Sequence, residues 1–70
     1  MKREPHKNPA ACAREMGAEF QANPGSSRRE YLDSAAYYFG WDTYAEMPAD
    51  AKLVCMNAFL DGVNAERALQ

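Results

Sequence analysis

The chain has 70 residues, a hydrophobic share of 47% and a formal net charge of −2. A chain of that length makes one domain and buries only about 60% of the surface its unfolded form exposes, so a small core of this kind often needs a staple or a partner. The apolar share excludes disorder, the lack of any apolar run near 20 residues excludes a membrane span, and a sequence pI of about 5.2 counts against a strongly basic nucleic-acid binder.

Residues 1–8 read as a flexible basic tail, with Lys2, Arg3 and Lys7 against Glu4 and with Pro5 blocking an early helix. No apolar stretch follows the basic residues, so the segment is not read as a secretory signal and the expected location is cytoplasmic. A single helical domain then spans 9–70. Asn8-Pro9 reads as an N-cap followed by proline at the first helical position, which opens a helix over 9–22. Ala13, Met16, Gly17 and Phe20 fall on one face of it, with Cys12 beside them. Asn23-Pro24-Gly25 stops it.

Ser27-Arg28-Arg29-Glu30 fits a capping box and opens a second helix over 27–40. Leu32, Ala35, Ala36 and Phe39 form its apolar stripe. Gly40 either ends this helix or sits inside a longer one running to 46, and Met47-Pro48 is the firmer boundary. Pro48 opens a third helix over 48–68, with Asp50 in its first turn, where the helix dipole favours an acid. From Leu53 to Leu60 this helix has one polar residue, Asn57. Asp50, Asn57, Asp61 and Asn64 make only a narrow polar stripe, so the third helix wants cover on several sides. No alternating pattern or hairpin signal suggests a strand. The expected fold is all-α: a compact three-helix domain with the third helix central. Each helix also carries Ala-x-x-x-Gly (Ala13/Gly17, Ala36/Gly40, Ala58/Gly62), a spacing of small residues that lets two helix backbones approach closely.

The motifs of catalysis are missing. There is no phosphate-cradling glycine loop, no GxSxG elbow and no pair of zinc ligands at local spacing. The single histidine, His6, lies in the tail, and the two cysteines, Cys12 and Cys55, read as small buried hydrophobes. The chain is therefore expected not to be an enzyme and to need no cofactor or metal.

Five of the eight aromatic residues fall in Tyr37-Tyr38-Phe39-Gly40-Trp41-Asp42-Thr43-Tyr44. If that stretch is helical, Tyr37, Trp41 and Tyr44 line up at spacings of four and three. It then forms either a lid on the core or a binding face. The binding-face reading takes Tyr37, Trp41 and Tyr44 as anchors, with Tyr38 on a neighbouring face and Asp42 and Glu46 at an acidic rim. The expected function is protein–protein interaction without catalysis: a small adaptor, modulator or inhibitor acting on a larger protein or nucleoprotein complex. Phage and mobile-element inhibitors such as anti-CRISPR proteins are one example of that class. The alternative is a small helix-turn-helix-like regulator that meets nucleic acid through Arg28, Arg29 and the basic tail, including Lys7. A homodimer with the third helix buried by its own copy is a third reading.

Overall fold

The computed structural model describes residues 4–70. Three α-helices and one short 3-10 turn follow in order: α1 (Pro9–Ala22), α2 (Arg28–Tyr38), the turn Tyr44–Glu46, and α3 (Ala49–Leu69). The described residues contain no strand, so the chain is an all-α, three-helix domain. None of its helices is long and apolar enough to cross a membrane.

Local chemistry sets the helix starts. Asn8 Oδ1 accepts from the Ala11 N–H at 3.3 Å, with Pro9 in the first turn. Ser27 Oγ accepts from the Glu30 N–H at 3.4 Å. Each serves one of the amides that a helix start leaves without an intrahelical acceptor. Pro48 precedes α3 as its cap residue, and its carbonyl accepts from the Lys52 N–H at 2.9 Å.

The end of α2 corrects the longer alternative in the sequence reading: the helix does not run to 46. Gly40 adopts φ 96°, a left-handed conformation that side-chain-bearing residues rarely take. The Gly40 N–H donates to the Tyr37 carbonyl and the Trp41 N–H donates to the Ala36 carbonyl, both at 3.0 Å. Together these bonds form the Schellman arrangement that satisfies the last carbonyls of a helix and turns the chain away.

The helices run up, down and up, so that α1 and α3 are parallel. Ala13 shares a core cluster with Cys55, the Phe20 and Phe59 rings lie 5.9 Å apart, and Gln21 hydrogen-bonds Gln70. The third helix supplies the two largest fully buried side chains among the described residues, Phe59 and Cys55. The helix with broad contacts to both neighbours is α1, because α2 and α3 share only a narrow contact. Two of the three Ala-x-x-x-Gly spacings explain the broad α1–α3 contact. A Cβ placed on Gly17 would overlap the Phe59 carbonyl, and one placed on Gly62 would overlap the Arg14 carbonyl. Those helices meet backbone to backbone. In the third spacing, Ala36/Gly40, Ala36 packs in the core, but Gly40 lies past the end of the helix and is the α2 stop.

One core cluster joins Ala13, Ala35, Ala36, Met47 and Cys55, and a second joins Leu32, Phe59 and Val63. Met47, read from the sequence only as a boundary, is buried. Burial pushes the Cys55 thiol up to about 11 from a reference of 9.0. Burial also raises the Tyr44 phenol above its usual 10.0, with the neighbouring Cys55 adding to the effect.

Two expectations follow from this packing. Gly62→Ala should destabilise the protein by roughly 2–3 kcal/mol or more, because backbone cannot yield as a side chain can; urea unfolding measures this. The raised Cys55 value carries a sign as well. The folded state keeps the thiol proton where the unfolded chain has lost it, so this contribution is complete below pH 9.0 and disappears as pH rises through about 11. Thermal melts should fall across that window, and Cys55→Ala should flatten the decline at the expense of a lower starting stability.

Candidate functional site

The last two turns of α2 place Asp33, Ser34, Tyr37 and Tyr38 on one side, because residues three and four apart are neighbours on a helix. The turn at Gly40 then brings Asp42 back beside them. These five residues line an open hollow of about 320 Å³. Among the described residues, two of its walls are carboxylates, two are phenol rings and one is a serine. Asp33 also fixes the loop, since its Oδ1 accepts from the Tyr44 backbone N–H at 2.9 Å. A carboxylate has lone pairs for several donors, so this bond leaves acceptor capacity in the hollow.

The aromatic window divides between two roles. Trp41 and Tyr44 are half-buried and pack against the core, as does Phe39. The Tyr44 hydroxyl donates to the Lys52 carbonyl at 3.4 Å, and Lys52 Nζ lies 5.7 Å from the Tyr44 ring centre. Tyr37 is 53% exposed and meets Tyr38 edge to face, with ring centres 6.0 Å apart. Of the six aromatic-surface residues expected from the sequence, Tyr37, Tyr38 and Asp42 come together. Trp41 and Tyr44 form the lid. Glu46 lies beyond Tyr44, where its Oε2 accepts from the Thr43 hydroxyl at 3.1 Å. The helical alignment of Tyr37, Trp41 and Tyr44 does not occur, because α2 stops at Tyr38. Asp33 and Ser34 are the wall residues that the sequence reading omitted. Their signal was present as the i, i+4 spacing to Tyr37 and Tyr38.

The N-terminal segment meets the same end of α2. The His6 N–H donates to the Tyr38 carbonyl at 2.8 Å, and the two rings pack edge to face at 5.6 Å. His6 Nδ1 accepts from the Asn8 N–H at 3.0 Å, so the ring proton sits on Nε2. Cys12 Sγ lies 3.6 Å from the same Nδ1. Burial, and then the nearby Glu15 charge, raise the Cys12 thiol above its reference of 9.0. The thiol thus holds its proton more tightly than a free one, whereas a nucleophilic cysteine needs the opposite shift. Of the tail expected over residues 1–8, residues 1–3 lie outside the described residues.

Among the described residues, the predicted basic contacts Arg28, Arg29 and Lys7 do not converge. Arg28 and Arg29 are exposed in the first turn of α2, beside a separate hollow of about 290 Å³ that they share with Leu32, Asp33, Thr43, Tyr44 and Ala45. Lys7 is exposed next to His6, at the opposite end of α2. An 11-residue helix separates the two positions, roughly 15 Å at 1.5 Å per residue. Among the described residues, no three His, Cys, Asp or Glu side chains are placed to hold a metal ion. No protein-family model, no curated protein and no solved structure matches the chain.

Paired substitutions separate the lid from the exposed ring. Trp41→Ala should lower unfolding free energy by about 1–3 kcal/mol, since a half-buried ring loses its contacts with the core. Tyr37→Ala should stay within about 0.5 kcal/mol of the parent. Equal losses in denaturant unfolding would remove the distinction.

Proposed function

We propose that this chain is a non-catalytic protein-binding module. It works as a small adaptor, modulator or inhibitor by occupying a surface on a larger protein or nucleoprotein complex. The observation that supports this is the hollow at the end of α2, where the exposed Tyr37 and the half-buried Tyr38 stand beside Asp33 and Asp42. Ring faces and carboxylates both attract cations, so the hollow suits a lysine or arginine side chain projecting from the partner. Tyrosine is also among the side chains most often found at the energetic centres of interfaces.

The alternative, a nucleic-acid-associated regulator, calls on Arg28, Arg29 and the basic tail. It draws less support, because Lys7 and the arginine pair occupy opposite ends of α2 and phosphate binding gains from charges gathered along one face.

Affinity capture from the native host, with parent and variant baits compared by quantitative mass spectrometry, tests the proposal. A protein retained by the parent should be depleted about tenfold by Tyr37→Ala and by Asp42→Asn, with nuclease treatment making no difference. Retention that nuclease abolishes, that falls steeply with salt and that depends on Arg28 and Arg29 would favour the alternative.

A further inference from the structure

The longest element, α3, has 21 residues and therefore runs about 30 Å. Only one of its sides is covered. Cys55, Phe59, Gly62 and Val63 face the core, while Leu53 is 63% exposed, Val54 52% and Leu60 41%. The outer side has a regular seam. Asp50, Leu53, Asn57, Leu60, Asn64 and Arg67 follow one another at alternating steps of three and four, which keeps them in one line along a helix, and all six are exposed. Between Asp50 and Asp61 the exposed residues of α3 are Leu53, Val54, Asn57 and Leu60, with no charge among them. An uncharged middle between charged ends is the composition of an interface centre and its rim.

The charges at the ends of the seam say what covers it. The N-terminal end carries an acid, Asp50, and the C-terminal end carries a base, Arg67. We propose that α3 pairs with α3 of a second copy, antiparallel, about a two-fold axis level with Ala58 and Phe59. In that register Asp50 meets the partner's Arg67, Leu53 meets the partner's Asn64, and Asn57 meets the partner's Leu60. The same contacts repeat on the other side of the axis, as an isologous interface requires. A parallel pairing would set acid on acid and base on base. The antiparallel one makes two ion pairs and opposes the two helix dipoles. Asp61 lies to one side of the seam, near the partner's Val54, so no two carboxylates face each other. The asparagines keep the separated monomer wettable and make the pairing reversible. This surface lies on α3 and is independent of the hollow on α2.

Sedimentation equilibrium across a wide concentration range tests the pairing, with circular dichroism reporting whether each variant stays helical. The parent should pass from monomer to dimer as concentration rises. Asp50→Lys and Arg67→Glu should each weaken the dimer about tenfold, since each sets like charges together, and the double variant should recover the parent's behaviour. Leu60→Gln, at an exposed position that leaves the core intact, should also weaken it. A protein monomeric at every concentration, which would leave the leucines for another partner, overturns the proposal. So does a dimer indifferent to both charge reversals, or one that the double reversal fails to restore.

Discussion

The contact on which this domain depends is the one between the backbones of α1 and α3. Gly17 lies against the Phe59 carbonyl, and Gly62 lies against the backbone of Arg14 and Ala18. Because those helices lie so close, one ring, Phe59, reaches a second cluster that also takes Met16, Phe20 and Leu32. A chain this short has few large apolar side chains to spend on its interior. It fills the core with three alanines, a cysteine and a few larger side chains, Leu32, Met47, Phe59 and Val63, by bringing the helices together.

The second constraint is Gly40. Its left-handed conformation ends α2 and redirects the chain, so rings that are consecutive in sequence take different roles. Trp41, just past the turn, falls onto the core, while Tyr37, three residues before it, faces water. Asp42 returns to the flank of α2, and Asp33 holds the following loop by bonding the Tyr44 amide. A wall built partly from helix and partly from a turn tied to that helix is more rigid than a loop alone. Rigidity reduces the ordering penalty of binding.

Much of the fold was legible in the sequence because its signals are local. Asn8-Pro9 and Ser27-x-x-Glu30 are short-range capping patterns, and the Leu32/Ala35/Ala36 stripe follows from helical spacing alone. The small-residue spacing correctly suggested close helices for α1 and α3. The same spacing meant something different at Ala36/Gly40, because whether a glycine packs or terminates depends on what surrounds it. Nor did the sequence announce that Met47 would be interior, since a residue before proline reads first as a boundary and its side chain is placed by tertiary packing. The candidate site was half legible. Tyr37, Tyr38 and Asp42 were expected at a surface, but their separation from Trp41 and Tyr44 follows from a single turn whose position two readings of Gly40 left open. Asp33 and Ser34 were marked by their place four residues before Tyr37 and Tyr38, but that they share a hollow with Asp42 follows only from the turn at Gly40.

The parallel arrangement of the first and last helices bears on how the molecule comes into being. Gly17 and Phe59, which touch, are separated by most of the chain. The entropy of closing that long loop must be overcome before the main packing is gained. The neighbours α2 and α3 gain little from each other, since they meet along only a narrow strip. On the ribosome, therefore, α1 and α2 have no Cys55 or Phe59 to close upon, and they stay unconsolidated until α3 has emerged. The three-helix domain thus takes its shape only once the third helix has been made.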